Sequence, residues 1–398
     1  MLQRLVLLIV LFASAPTPAQ DYDADQLAEI ERRKQFQAGF EAIVDDLNRQ
    51  SVVGFQRAID PEDFLNRIFG LRLIDRRIQQ SVSRDFEVSV LPQIVEGAFA
   101  GFRDDDIKVK LLDFRSSGAD GRAVVRLDLP SFQFNYWVFQ LRYDDARERV
   151  VIVDWIDYLY SQQFTESYGE GMVGAMPSKA AVRKLVEQRL TDSEIFQLSE
   201  LLKAARDRKP DRFVQIWESM GDRVKRERVV VRLHAQLMRL VRKRRNLRVA
   251  LVEISKYFPN DPMFSLPLLD FYFPSRQYGK ATEALLRLES QLGVQDSAMK
   301  ARLSAAALAA GDVEGASAYA EEALNMQPDL ELGWWSRLRA DATSGNTTGA
   351  IEALTKLEDD FGHTLNREAF GRDRLLNTLA ATPEFQAWSG ERHKKGDD

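Results

Sequence analysis

The chain has 398 residues, 45% of them apolar and 29% charged, with a formal net charge of −5, which is enough length for two cores and no signature of disorder. It has no cysteine and only three histidines, His234, His363 and His393, far apart in sequence. Disulfides, thiol catalysis and zinc–cysteine sites are excluded, and a histidine triad or multi-histidine metal centre is disfavoured.

In chain order, Met1 to Ala19 carries Arg4, then the apolar run LVLLIVLFASA, then PTPA before Gln20, with Thr17 and Ala19 as small residues ahead of a cleavage point. That layout predicts a secretory signal peptide over 1–19, its apolar run well short of the roughly twenty residues that span a bilayer. With no cysteine to carry a lipid, the expectation is an exported protein of a bacterial periplasm and not a lipoprotein.

Leu27, Ile30, Phe36, Phe40, Ile43, Val44 and Leu47 follow at helical spacing. Asp60-Pro61-Glu62-Asp63 reads as a helix start, with Asp60 as the cap, and Phe64, Leu65, Ile68, Phe69, Leu71 and Ile74 along the helix. VLPQIVEGAFAGF predicts another helix. From Ile107 the period changes to two: KVKLLDF and AVVRLDL flank the turn RSSGADGR, and FQFNYWVFQLRY and RVVIVDWIDY flank DDARE. Asn135, Trp137, Phe139, Leu141 and Tyr143 share one face of the third strand, and Phe134, Tyr136, Val138, Gln140 and Arg142 the other. Helices followed by an antiparallel meander predict an α+β unit over 20–166, helices packed on a curved sheet. In this element order, and in the strand end IVDWIDY running into QQFTESY, the segment resembles the nuclear-transport-factor-2-like, or cystatin-like, superfold. That superfold includes enzymes, lipid carriers and interaction modules, so the resemblance implies a fold and leaves the function open.

Asp154 and Asp157 invite a reading as a carboxylate pair. In a regular strand they point to opposite faces, whereas a dyad must converge on one atom, so absent a bulge they are not a pair. Each remains open as a lone base, against a structural role at a strand end. Tyr136, Asp154, Trp155 and Tyr158 are the candidates to line a ligand pocket, against the alternative that the aromatic rings are core.

SYGEGMVGAMPSK, 167–179, is glycine-rich and predicts a linker. Beyond it Ala250, Ala281, Ala316 and Ala350 align at intervals of 31, 35 and 34 residues, with apolar residues four and seven later and Pro262, Gly293, Pro328 or Gly362 twelve later. A small residue, two apolar residues on its face and a breaker describe the second helix of a helix-turn-helix unit. With Trp334 sixteen before Ala350, the pattern resembles the tetratricopeptide repeat, departing from it where Pro267 and Pro274 interrupt a first helix. Three or four units are expected over about 245–365, and helix pairs without a clean register over 180–245. Phe385 and Trp388 are expected to pack a terminal cap, the array covering 180–390 ahead of a polar tail, 391–398.

Charge is segregated: Lys203 to Arg248 holds 16 Lys and Arg against 5 Asp and Glu, a local +11 that leaves −16 for the rest. Arg239, Arg242, Lys243, Arg244, Arg245 and Arg248 are candidates for a patch meeting an anionic partner: a phospholipid surface, a cell-wall polymer or an acidic protein. The alternative is a solvated helix face paired with acidic helices. Nucleic acid is not expected, since no aromatic residues interleave the arginines. No phosphate loop, GxSxG or HExxH is present, and Asp104-Asp105-Asp106 lacks calcium-loop spacing. The expected protein is a non-enzymatic scaffold without cofactor or metal, binding another protein on the concave face of its repeats. The alternative is a carrier or sensor holding a lipid or small apolar ligand in the N-terminal unit, as the resemblance to a periplasmic phospholipid-carrier family implies.

Overall fold

The computed structural model describes residues 24–70, 76–104, 107–175, 179–363, 367–373 and 375–396. The segment 1–19 expected to be a signal peptide, Leu71, Ile74, Asp105 and Asp106 lie outside the described residues. The architecture is an α+β unit followed by an all-helical region.

The first helix, α1 (Ala24–Asn48), buries Phe36, Phe40, Ile43, Val44 and Leu47 on one stripe. After α2 (Val53–Ala58), Asp60 caps α3 (Pro61–Gly70), its Oδ1 accepting from the backbone N–H groups of Glu62 and Asp63 at 3.1 and 3.0 Å. Then come α4 (Arg76–Asp85) and α5 (Leu91–Asp104), joined by a π-helical turn. The sheet is an antiparallel meander of β1 (Lys108–Ser117), β2 (Asp120–Leu129), β3 (Gln133–Asp144), β4 (Arg149–Asp157) and the short β5 (Gln162–Gln163). β1 and β2 are joined by Gly118 and Ala119, and Gly118 takes φ +58°, a conformation that favours glycine.

Both faces of this sheet are buried. Against the helices, Trp137, Phe139, Leu141, Val150, Ile152 and Trp155 pack with Phe36, Phe40, Phe55 and Phe64. On the other face Val124, Phe134, Tyr136, Val138 and Tyr158 pack against the helical region. Burial on two sides explains why the strands read as almost continuous apolar runs. A bulge at Val153 separates Ile152, opposite Leu141, from Asp154, opposite Gln140. It precedes Asp154, so regular alternation from 154 to 157 keeps the two aspartates on opposite faces.

The expected linker is instead helical: α6 (Phe164–Ala175) buries Val173 in the helical region's first core and packs against α3 and β4. Glycine lowers helix propensity by only about 1 kcal/mol per residue, and burial of one face outweighs that here.

The helical region runs through α7 (Lys179–Arg183), α8 (Asp192–Arg206), α9 (Pro210–Ser219), α10 (Asp222–Lys225), α11 (Arg228–Leu240), α12 (Arg244–Tyr257), α13 (Ser265–Tyr272) and α14 (Tyr278–Leu292). It continues through α15 (Ser297–Ala310), α16 (Val313–Met326), α17 (Glu331–Ser344), α18 (Thr347–Asp359), α19 (Arg367–Arg372), α20 (Asn377–Ala380) and α21 (Pro383–Gly396). Five helical hairpins stand out: α8–α9, α11–α12, α13–α14, α15–α16 and α17–α18.

Each hairpin turns the same way. Arg208, Arg242, Arg276, Gly311 and Gly345 all take positive φ, at intervals of 34, 34, 35 and 34 residues. At each, the next residue's N–H reaches back five residues: Lys209 to Ala204 O, Lys243 to Met238 O, Gln277 to Tyr272 O, Asp312 to Ala307 O and Asn346 to Asp341 O, all at 2.9 Å. This is the Schellman closure of a helix, and glycine is the residue it favours; arginine in that conformation costs roughly 1 kcal/mol. The turn register corrects the alanine alignment. The equivalents of Ala281, Ala316 and Ala350, five residues past the turn, are Leu247 and Phe213, and Ala250 lies one helical turn further along the same face. The array therefore holds five units and begins near Asp192, where the sequence pattern indicated three or four from 245. Pro267 falls in the first turn of α13, where it is tolerated, and Pro274 follows its end. At the far end Phe385 packs with Phe370, and Trp388 Nε1 donates to Thr355 Oγ1 at 3.0 Å.

Candidate functional site

The four pocket candidates do not share a space. Trp155 lies on the helix side of the sheet, stacked on Phe164 with ring centroids 3.9 Å apart and edge-on to Phe55. Tyr136 and Tyr158 lie on the opposite face, in the core shared with the array. Asp154 is fully buried and ties the strand end to α6: it accepts from the N–H groups of Trp155 and Thr165, from Gln163 Nε2 at 2.7 Å and from the Thr165 hydroxyl. Asp157 accepts from Asn135 Nδ2, Trp137 Nε1 and Tyr160 N, while burial pushes its carboxyl up from the ordinary value. The reading of these residues as a pocket wall is corrected: rings from α1 to α3 and the array fill both sides of the sheet.

What the outer face of the sheet builds is a polar joint with the array. Arg126, wholly buried on β2, sends Nη1 to Asp296 Oδ1 at 2.5 Å and to Ser297 Oγ at 3.1 Å. Its Nε donates to Asp128 Oδ1 at 2.6 Å and its Nη2 to Gln327 Oε1 at 3.1 Å. The Tyr136 hydroxyl donates to Asp296 Oδ2 at 2.6 Å. Burial alone would lower the guanidinium's pKa, but the neighbouring Asp296 and Asp128 outweigh it and the net direction is upward. Burial raises the Tyr136 hydroxyl well above its ordinary value, and Asp296 adds to that. Asp296 stands at the N-cap of α15, yet its side chain caps nothing within its own helix and serves the strand arginine instead.

Two further arginines of the sheet meet the end of α14: Arg115 Nη2 donates to Gly293 O and Arg122 Nη2 to Leu292 O, both at 2.8 Å. They satisfy carbonyls at the negative end of that helix. On α11, Arg232 is buried in an ion pair with Glu170 of α6, and Gln236 Nε2 donates to Tyr160 O at 2.6 Å. On α15, Arg302 Nη2 donates to Phe132 O at 2.6 Å. These contacts fall on the first helices of the second and fourth hairpins, and α11 and α15 are buried on nearly all sides. The face of the array expected to be a free concave surface holds the chain's own sheet across the second to fourth units.

One cleft and one basic surface lie elsewhere. A cleft of about 1210 Å³ lies on the helix side of the sheet, with Ile43, Ile59, Leu65 and Val150 among its apolar lining and Arg57 and Glu148 among its charged lining. None of the four pocket candidates lines it. Of the basic residues, Arg242, Lys243, Arg244, Arg245 and Arg248 are exposed around the α11–α12 turn. Arg239 is not part of that surface: its side chain is 17% exposed and pairs with Asp270 at 2.8 Å. Lys243 pairs with Asp211 at 3.2 Å, leaving the four arginines without an ion pair among the described residues.

Sequence reasoning did not bring Arg126 and Asp296 together. The signal was a lone arginine on the outer side of AVVRLDL, a charge that a doubly buried strand must pair. Comparison of the chain with family models, with curated proteins and with solved structures returns no match.

Proposed function

We propose that this is an exported, non-enzymatic scaffold for protein–protein interaction, built on a tetratricopeptide-like array with an accessory α+β module of the nuclear-transport-factor-2-like kind. One observation carries the reading: the array face already holds a folded surface through side chains of its second and fourth units, at Gln236, Asp296 and Arg302. A stacked array presents a ladder of helices, and an extended surface of this kind suits a protein partner. The N-terminal module occupies the middle of the ladder, so the partner takes the surfaces left over: the last hairpin, α17–α18, and the outer faces of the second helices.

A second reading, a carrier of a lipid or small apolar ligand, is favoured by the cleft of about 1210 Å³ with its apolar floor and charged rim. It places the ligand at Ile43, Ile59, Leu65 and Val150 and away from Tyr136, Trp155 and Tyr158.

Native mass spectrometry of the mature protein, isolated gently from its own host's envelope with lipid extraction in parallel, tests both readings. A stoichiometric bound protein is the expected result. A stoichiometric lipid without a protein partner would replace the scaffold reading with the carrier reading.

A further inference from the structure

The three hairpin turns that carry arginine where the backbone favours glycine are consecutive. Arg208, Arg242 and Arg276 close the first, second and third units, whereas the fourth and fifth close on Gly311 and Gly345. Turns within hairpins lie along one edge of a stacked array, and turns between hairpins along the other. The sheet is anchored to the second edge, at Leu292, Gly293 and Asp296. The arginine turns are a helix length away from those anchors, about 22 Å for the 15 residues of α14, and the loop after β4 comes closer to them at Gln236, six residues before Arg242.

That free edge is strongly cationic. Arg208, Arg242, Arg244, Arg245, Arg248 and Arg276 are all exposed, with no ion pair among the described residues. Apolar side chains are exposed beside them: Leu240 at the end of α11, and Val249 and Val252 on the outer face of α12, are 48%, 41% and 44% exposed. Arg245, Arg248, Val249, Val252 and Lys256 recur at helical spacing, so charge and apolar surface share one stripe.

We propose that this edge is a docking surface for an anionic phospholipid bilayer, laid down by Arg208, Arg242 and Arg276 in three successive turns. Charge complementarity selects the class of partner. The spacing selects within it: an exposed arginine recurs at the equivalent turn of three successive units, and a surface of repeating anionic headgroups can meet every one of them. Interleaved valine and leucine suit the boundary between headgroups and acyl chains, where a basic helix with a short apolar stripe rests without spanning. Side chains held in an unfavourable backbone conformation at equivalent positions point to a use the turn itself does not need.

Glycine at these turns separates the two roles of arginine. Flotation of the full mature protein with vesicles of phosphatidylcholine and phosphatidylglycerol, against phosphatidylcholine alone, reads the binding. The wild type is expected to float only with the anionic vesicles, less so as salt is raised. The triple variant Arg208→Gly, Arg242→Gly, Arg276→Gly is expected to melt at a higher temperature, yet to lose binding about a hundredfold, near fivefold per arginine. Arg244→Ala with Arg245→Ala, which leaves the closing turn residues intact, is expected to lose binding by about 25-fold on the same basis. Undiminished binding by both variants, or no binding by the wild type, overturns the proposal. Binding of the wild type to polyglutamate and not to anionic vesicles also overturns it, and assigns the edge to an acidic protein.

Discussion

The joint between the sheet and the array and the joints inside the array solve the same problem with opposite chemistry. Inside the array, fully buried alanines (Ala281, Ala316, Ala320, Ala350) let helices approach, and backbone turns close each unit. Few charges have to leave water: Lys300, held between Glu289 of α14 and Glu322 of α16, and Asp341, paired with Arg337, are buried ones. Between the α+β unit and the array an apolar contact is tied by long charged side chains, Arg126 of the sheet to Asp296 and Glu170 of α6 to Arg232, all buried. Taking such ions out of water is costly, and their mutual attraction repays it only when each pair is complete. The array's joints are therefore tolerant in chemistry and strict in volume, while the sheet's joint is strict in chemistry and fixes one orientation.

The polar joint is most vulnerable at Asp296. Asp296→Ala leaves Arg126 buried without its closest partner, and a loss of about 3–5 kcal/mol is expected in urea unfolding. The double substitution Arg126→Met with Asp296→Leu removes both buried ions and is expected to recover most of that loss, because the one charge left without its partner, Asp128, is 40% exposed to water. A single variant no weaker than an ordinary surface substitution would show that the polar joint contributes little. Inside the array the matching test is one of volume. Ala316 is fully buried, and its carbonyl accepts from Ser304 Oγ at 2.7 Å. Ala316→Leu is expected to cost about 1–3 kcal/mol by overpacking, with no dependence on pH.

pH sharpens the contrast further. Burial raises the Glu170 carboxyl above its ordinary value of 4.5, against the opposing pull of Arg232. The folded chain then holds this proton more tightly than the unfolded chain does. Its contribution is therefore fully present below the ordinary value and falls as pH rises through the raised one. Stability measured across that window is expected to decline with rising pH in the wild type and to flatten in Glu170→Gln. An unchanged slope in the variant would remove Glu170 from the account.

The same division decides what could be read from sequence. Local periodicity showed α1, the Asp60 cap, both hairpins and the buried alanines from Ala281 onward, since each is specified within a few residues. The Arg126–Asp296 pair spans 170 residues, and no local pattern carries it. The glycine-rich segment of α6 misled because propensity is a weak prior where tertiary burial, here of Val173, sets the outcome. Ala250 misled differently: it lies one helical turn past the equivalent position, so the face matched while the register slipped.

That slip points to the smallest effect and the finest test. If the five turns are equivalent, each should answer to the same backbone rule whatever side chain it carries. Arg242→Gly is then expected to stabilise the fold by about 0.5–1 kcal/mol, by relieving a positive φ of 56°. Gly345→Ala, at φ 81°, is expected to destabilise it by about 1 kcal/mol. Thermal melts of the two variants with opposite signs would establish one repeated turn running through all five units. If Arg242→Gly instead lowers stability, the arginine is held by contacts that outweigh its backbone, and the first three units are a class apart from the last two.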